Sequence, residues 1–260
     1  MENFIVTTTR KPNSLIETFA EEISLKFGAK FVPREDFSFE TLKKLHGVEN
    51  ILLVKKNSLS IITSGGELFF HPNTAHLRIK NLRCGENDRL IDALNIKKGS
   101  KILDCTLGLG SDAIVESFIA GETGKIVALE INTLIFAVVS HGLQNFSDDS
   151  PHILESMRRI EVFNADYEDF LKNCAENSFD AVYFDPMFRK PIKKSSGLNS
   201  IRPLADSRPL SDKIIREARR VAKFRVVMKE HAKSPEFERL GFKIADGGKY
   251  SSISFGIIEL

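Results

Sequence analysis

Long hydrophobic runs are absent from this sequence of 260 residues. No apolar stretch approaches the roughly 20 residues that a membrane-spanning helix needs, so we expect no membrane partner. The first residues, which include Glu2 and Arg10, do not have the pattern of a signal peptide, so we expect a cytoplasmic protein. Because 42% of the residues are hydrophobic, the chain can still bury one large core, or a core and a smaller domain.

Cysteine and charge of one sign are scarce as well. The cysteines, Cys84, Cys105 and Cys174, lie far apart, with no Cys-x-x-Cys pair and no neighbouring pair of histidines. Zinc sites need closely spaced ligands, so we expect free thiols and no metal site. The formal net charge is only +2, so bulk electrostatics do not indicate a dedicated nucleic-acid-binding protein.

What the chain does contain is a glycine loop between two buried segments. Lys101–Asp104 predicts a strand, Gly108–Ala113 a loop and the start of a helix, and Lys125–Glu130 a second strand that ends in an acid. Glycines let the backbone approach a ligand, a helix N-terminus offers unpaired N–H groups, and Glu130 is placed to accept both hydroxyls of a ribose. This pattern binds either a dinucleotide or S-adenosylmethionine.

Two further features favour S-adenosylmethionine. Asp104 ends the first strand, where its carboxylate can reach the ligand. A later segment, Phe179–Phe184, predicts a buried strand that delivers Asp185-Pro186-Met187-Phe188 to the crevice where open α/β sheets bind ligands. This tetrapeptide resembles the Asp-Pro-Pro-Tyr class found in methyltransferases that act on planar amino groups.

The tetrapeptide has a chemistry that suits an exocyclic amine. Pro186 holds Asp185 in an extended conformation, so the carboxylate and the Pro186 carbonyl can accept the two amine hydrogens. Those hydrogen bonds free the nitrogen lone pair, while Phe188 offers a stacking face worth roughly 1–3 kcal/mol per base. Alone, the tetrapeptide more often marks a strand ending in a turn, with Met187 and Phe188 in the core. Its position after a glycine-loop unit favours catalytic roles for Asp185, Pro186 and Phe188.

A basic segment follows Phe188 and is relieved only by Asp206. Its members are Arg189, Lys190, Lys193, Lys194, Arg202 and Arg208. Beside an amine pocket, such a segment can grip phosphates while a base turns into the site, and we predict RNA binding through the first five. A solvated surface loop is an equally good interpretation.

With these motifs the chain resembles the RsmJ-type ribosomal RNA guanine-N2 methyltransferases, from about Phe70 to Phe242. The similarity is most specific at Leu103-Asp104-Cys105-Thr106-Leu107-Gly108-Leu109-Gly110-Ser111-Asp112-Ala113, and it continues at Tyr183–Phe188, Lys193–Ser195 and Arg225–Lys229. The resemblance implies donor contacts at Ser111, Asp112, Glu130, Ile131, Asp166, Tyr167 and Asp185. With Asp104, Thr106, Gly108 and Gly110 they make up the predicted S-adenosylmethionine site.

The whole pattern predicts an α/β fold. Strands and helices alternate from Lys101 to Met228, which requires right-handed crossovers and a parallel sheet with helices on both faces. The helices predicted in this part of the chain and just before it are Arg89–Leu94, Ala113–Ala120, Leu134–Leu143 and Asp212–Val221. The resemblance implies a Rossmann-like class I methyltransferase sheet whose last strand, at residues 253–259, is antiparallel. Strand and helix patterns before residue 70 predict a small α/β N-terminal domain. We therefore divide the chain into an N-terminal domain, residues 1–80, and a methyltransferase domain, residues 81–260.

We expect S-adenosylmethionine-dependent methyl transfer to an exocyclic amine, and the resemblance makes guanine N2 of ribosomal RNA the expected acceptor. Two alternatives stay open. The same pocket geometry accepts a protein amide or a small-molecule amine, and a non-catalytic RNA-binding module can keep the fold. A nucleotide-dependent oxidoreductase is a remoter option, because the glycine loop also satisfies the looser dehydrogenase pattern.

Overall fold

The computed structural model describes residues 3–148, 150–186, 200–245 and 251–260. Within these ranges the chain forms two compact units. One unit contains residues 3–71, 132–147 and 200–205, and the other contains the remaining described residues. The first unit thus includes residues far along the sequence. Whether residues 1–80 fold as an independent domain stays a prediction.

A five-stranded sheet of order β2-β1-β3-β4-β5 organises the first unit. Its strands are β1 (Phe4–Thr8), β2 (Lys30–Phe31), β3 (Asn50–Val54), β4 (Leu59–Thr63) and β5 (Gly66–Phe69). β1 is parallel to β2 and β3, whereas β3, β4 and β5 are joined by antiparallel pairing. Every residue of β1 and β4 is buried, as in a sheet covered on both faces.

Three helices belong to the same unit, namely α1 (Ser14–Phe27), α2 (Phe39–His46) and α6 (Thr133–Asn145). The Asn13 side chain accepts the Ile16 amide at the start of α1, and Gly28, with φ 62°, ends the helix in the left-handed conformation that glycine favours. In α6, Gly142 lies against Phe70, whose Cγ would be 2.3 Å from a Cβ at that position. The missing side chain lets α6 approach the ring closely.

A seven-stranded sheet of order β11-β12-β10-β9-β6-β7-β8 organises the second unit. Its strands are β6 (Lys101–Asp104), β7 (Lys125–Glu130), β8 (Ile160–Asn164), β9 (Phe179–Phe184), β10 (Ala222–His231), β11 (Lys243–Ile244) and β12 (Ile253–Glu259). β6 to β10 are parallel, and β12 is antiparallel to both β10 and β11. The predicted Rossmann-like sheet with an antiparallel last strand is confirmed.

The helices of the second unit are α3 (Asn73–Arg83), α4 (Arg89–Leu94), α5 (Ser111–Ala120), α7 (Pro151–Arg158), α8 (Tyr167–Asn173), α9 (Asp212–Val221) and α10 (Glu236–Arg239). Of these, α3, α7, α8 and α10 are not predicted from the sequence. α3 has no side-chain cap at Pro72, and Ala75 and Ile79 are its buried residues, so its apolar stripe is weak. In the part of the chain that the structure describes, no helix is long and apolar enough to cross a membrane.

Candidate active site

The site lies where the strand order of the larger sheet reverses, between β6 and β9. The carboxyl ends of strands at such a reversal line the usual ligand crevice of an open α/β sheet. Asp104 ends β6, Glu130 ends β7 and Asp185 directly follows β9. The Asp185 amide donates to Thr106 Oγ1 at 2.6 Å, which ties the end of β9 to the loop after β6. Predicted site residues from three strands therefore meet at one edge of the sheet.

The glycine loop joins β6 to α5. Gly108 (φ 51°) and Gly110 (φ 78°) both adopt the left-handed conformation, which glycine reaches without strain. The Gly108 amide donates to Glu130 Oε2 at 3.1 Å, so the acid at the end of β7 is fixed against the loop. Because Gly110 has no side chain to cap the helix, Ser111 begins α5 without a side-chain cap. The first turn of α5 can offer amides to a ligand.

Asp104 is a buried acid with one uncompensated oxygen. Its Oδ1 accepts the Thr106 amide at 2.9 Å, whereas the buried Oδ2 has no hydrogen-bond partner among the described residues. Burial, with the carboxylates of Asp112 and Asp185, raises the pKa of Asp104 to about 8, although the Thr106 amide and Lys229 act in the opposite direction. A buried oxygen of this kind is suited to a donor or cation supplied by a ligand.

A group of charged side chains with one tyrosine, here called the ion cluster, lies beside Asp104. It consists of Arg78, Asp88, Asp112, Tyr183, Asp185 and Lys229. Asp112 is its centre: Oδ2 accepts from Lys229 Nζ at 3.0 Å and from the Tyr183 hydroxyl at 2.9 Å, and Oδ1 accepts from Arg78 Nη1. Burial opposes ionisation, but Lys229 and Arg78 prevail and lower the pKa of Asp112 to about 2. Asp112 is therefore an ionised anchor.

Asp185 belongs to both the crevice and the ion cluster. Its Oδ2 accepts from Lys229 Nζ at 2.7 Å, and its side chain stays 27% exposed. Burial raises the pKa of Asp185 to about 6, with Lys229 opposing and Asp112 adding to the effect. The carboxylate is thus mainly ionised at neutral pH. Pro186 follows it in the described chain.

The acid after β8 is engaged by a second arginine. Asp166 Oδ1 caps α8 by accepting the Glu168 amide at 2.8 Å, and Oδ2 accepts from Arg208 Nη1 at 2.9 Å. Arg208 also pairs with Asp206, and its guanidinium carbon lies 5.5 Å from the centre of the Tyr167 ring. Arg208 therefore covers two of the residues that the resemblance assigns to the donor.

The remaining predicted residues have different places. Ile131 follows β7 and is 36% exposed, and Asn164 Nδ2 donates to its carbonyl at 3.1 Å. Arg202 belongs to the first compact unit. Five predicted residues lie outside the described residues, namely Phe188, Arg189, Lys190, Lys193 and Lys194.

No role is predicted from the sequence for four members of the ion cluster, namely Arg78, Asp88, Tyr183 and Lys229. The available signal is a lysine directly after the apolar run Val226–Met228, at the end of a predicted strand. Arg78 gives no such signal because it lies on α3, which the sequence does not predict. Across the described ranges, no group of three or more histidines, cysteines or acids is arranged to hold a metal ion.

The order of the larger sheet and its antiparallel last strand define the Rossmann-like class I methyltransferase fold. The family model described as "Putative SAM-dependent methyltransferase" matches residues 44–249, and the chain belongs to this family. The protein is therefore an S-adenosylmethionine-dependent methyltransferase.

Individual similar proteins match most of the chain. The chain is 38% identical over 256 residues to the uncharacterized protein YpiP of Bacillus subtilis, covering 98% of this chain and 99% of that protein. It is 25% identical over 240 residues to ribosomal RNA small subunit methyltransferase J of Idiomarina loihiensis, covering 88% of each. A SAM-dependent methyltransferase structure from Neisseria gonorrhoeae shares the fold, with a TM-score of 0.59 at 17% identity over 98% of this chain and 95% of that one. The family resemblance is confirmed.

Proposed function

We propose that this methyltransferase acts on the exocyclic amine of an RNA base, and specifically on guanine N2 of small-subunit ribosomal RNA. The observation that carries the proposal is the place of Asp185 and Pro186 at the end of β9. There the Asp185 amide is bonded to Thr106 in the donor loop and the Asp185 carboxylate is held by Lys229. Relatives named ribosomal RNA small subunit methyltransferase J support the choice of small-subunit ribosomal RNA as the substrate.

The residues around the glycine loop fit S-adenosylmethionine. Asp104 Oδ2 would bind a positively charged part of the donor, because it is buried and has no partner among the described residues. Glu130, fixed by the Gly108 amide, would accept the ribose hydroxyls. The bound donor supplies an electrophilic methyl group, whose bond to sulfur breaks with both electrons left on sulfur as the amine nitrogen forms the new N–C bond.

Asp185 would orient the amine and take up its proton. Lys229 binds Oδ2, which leaves Oδ1 and the Pro186 carbonyl to accept the two amine hydrogens. Hydrogen bonds to both hydrogens turn the nitrogen lone pair towards the methyl group. Because the pKa of Asp185 is raised to about 6, mainly by burial, the carboxylate is ionised at pH 7 and can accept the proton that nitrogen loses after methylation.

Transfer of a labelled methyl group to RNA tests the proposal. Total RNA from a strain that lacks this gene would be incubated with the enzyme and labelled S-adenosylmethionine, and its nucleosides would be separated. We expect label in N2-methylguanosine. Asp185→Asn should abolish the signal, whereas Asp169→Asn, a matched change at an acid on the exposed face of α8, should not.

The other outcomes are equally informative. Label on the exocyclic amine of a different base would keep the amine chemistry and overturn guanine N2, whereas label on a ring carbon or a ribose oxygen would overturn both. If RNA takes no label while the donor binds, and assembled ribosomal subunits also take none, the RNA acceptor is wrong and a protein amide or small-molecule amine takes its place. Substrate binding through several phosphates should also weaken steeply between about 50 and 200 mM salt.

A further inference from the structure

Lys229 reaches the active site from the strand next to Asp185. β9 and β10 are parallel, and Phe184 pairs with Met228. Asp185 directly follows Phe184, and Lys229 directly follows Met228. Successive side chains of a strand point to opposite faces. Met228 is buried in the core, and Lys229 is directed to the opposite side, where Nζ donates to Asp185 Oδ2 at 2.7 Å and to Asp112 Oδ2 at 3.0 Å.

Other members of the ion cluster fix the position of Lys229. Asp112 is held by Arg78 and by the Tyr183 hydroxyl as well as by Lys229. Arg78 makes two bonds to Asp88, of 2.6 and 2.8 Å, and Asp88 caps α4. A continuous series of charge-assisted hydrogen bonds therefore runs from the start of α4 to Asp185. Such bonds are about twice as strong as neutral ones and impose geometry on their partners.

A stabilising role alone does not account for this arrangement. The Lys229 side chain is 20% exposed and the Asp112 side chain 16%, so both charges lose most of their hydration. Ion pairs that are largely desolvated contribute little net stability compared with apolar side chains of the same size. A lysine that bridges two carboxylates does, however, fix the direction of each.

We propose that Lys229 is a positioning residue for methyl transfer, which holds Asp185 Oδ2 so that Oδ1 is presented to the acceptor amine. This inference rests on the proposed role of Asp185. The charged and titratable groups around Asp185 are Lys229 and Glu230 on β10, Asp112 on α5, Asp104 on β6 and Tyr183 on β9. Lys229 is the cation bonded to the Asp185 carboxylate, so its removal should favour protonation of Asp185.

Three variants separate this role from a structural one. Lys229→Met removes the charge and keeps the length of the side chain. Lys229→Arg keeps the charge. Lys223→Met makes the same change near the start of β10, where the side chain is 44% exposed and pairs with Asp180 at 3.6 Å, and it serves as the matched control. Thermal unfolding and S-adenosylmethionine binding would be measured for each.

The decisive readout is the pH dependence of single-turnover methyl transfer to RNA. In Lys229→Met we expect the apparent pKa of the acid limb to rise by about 1–3, as befits loss of an adjacent opposite charge. In Lys229→Arg the apparent pKa should stay close to the wild-type value because the charge is kept, and Lys223→Met should match the wild type. A uniform loss of rate at all pH values in Lys229→Met would indicate a merely structural role and overturn the inference.

A second readout does not depend on the substrate. Enzyme labelled with ¹³C at the aspartate carboxyl carbons would be titrated by NMR, with Asp185→Asn identifying the Asp185 signal. We expect that signal to titrate at higher pH in Lys229→Met than in the wild type. An unchanged titration overturns the inference even if RNA is the substrate, whereas failure of the wild type to methylate RNA overturns the proposed function and leaves this result standing. If Lys229→Met does not fold, Lys229→Gln takes its place in both readouts.

Discussion

Replacing Asp104 with asparagine should separate donor binding from folding stability. The change keeps the size of the side chain, and the amide oxygen can still accept the Thr106 amide, as Oδ1 does at 2.9 Å. It removes the group that can ionise and replaces Oδ2, the buried oxygen without a partner among the described residues. We expect Asp104→Asn to bind S-adenosylmethionine more weakly and yet to unfold at a higher temperature above pH 7.

The two effects have different magnitudes and signs. A hydrogen bond to a charged group contributes about 1.5–3 kcal/mol, so the Kd for the donor should rise by about 10- to 150-fold. Burial raises the pKa of Asp104 from 3.8 to about 8. The unfolded chain therefore loses this proton at lower pH than the folded protein does, and the free energy of unfolding falls as pH rises from about 4 to 8. Asparagine does not ionise, so the variant avoids that loss.

Calorimetric titration with two ligands provides the assay. S-Adenosylmethionine carries positive charge, whereas 5′-methylthioadenosine is neutral and lacks the amino-acid end. Asp104→Asn should weaken the binding of S-adenosylmethionine and leave the binding of methylthioadenosine unchanged. The affinity of the wild type for S-adenosylmethionine should increase with pH up to about 8. Equal weakening of the binding of both ligands, or an unchanged affinity for S-adenosylmethionine, would refute contact between Asp104 and the charged end of the donor. A lower unfolding temperature at pH 8 would refute the stability argument. Asp169→Asn is the exposed control.

Further expectations follow from other parts of the structure. Gly142→Ala should lower the free energy of unfolding by about 1–3 kcal/mol in urea denaturation, because the new Cβ would lie 2.3 Å from Phe70 Cγ. Methyl transfer should decline as pH falls below about 6, where Asp185 takes up a proton, and a rate that is constant from pH 5 to 8 would contradict its ionised role. Arg208→Met should tighten methylthioadenosine binding by up to about fivefold in calorimetry, because loss of the arginine frees the Asp166 carboxylate. The limit is about fivefold because a partly exposed ion pair contributes at most about 1 kcal/mol. Weaker binding would show that Arg208 assists donor binding.

The core elements of the larger sheet could be predicted because local signals agreed there. Lys101–Asp104, Lys125–Glu130 and Phe179–Phe184 are strands with the predicted bounds. Each of these strands is an apolar run with an acid or a glycine at its carboxyl end. The composition of the run and the residue that ends it therefore predict the same strand. α3 could not be predicted, because Leu77 on it is 62% exposed and its packing depends on residues distant in sequence.

The site was predictable in part for a similar reason. Asp104, Glu130 and Asp185 follow from strand ends, since parallel strands bring their carboxyl ends to one edge. The ion cluster does not follow, because Lys229 is 117 residues from Asp112, and Arg78 is 34 residues from it. No local pattern specifies which distant cation pairs with a given acid. Sequence periodicity likewise predicts a helix at residues 134–143 but does not indicate that it joins the first compact unit.

The geometry of the glycine loop suits either a dinucleotide or S-adenosylmethionine. The charges of the crevice distinguish between these two ligands. Asp104, Asp112 and Asp185 interact there with Lys229, and Arg78 divides its charge between Asp112 and Asp88. Carboxylates thus outnumber cations around the loop, and Asp104 stays protonated near neutral pH because a further negative charge is unfavourable. A pyrophosphate would add negative charge to this imbalance, whereas a sulfonium and an ammonium group would reduce it. The same loop geometry therefore favours the cationic methyl donor in this protein.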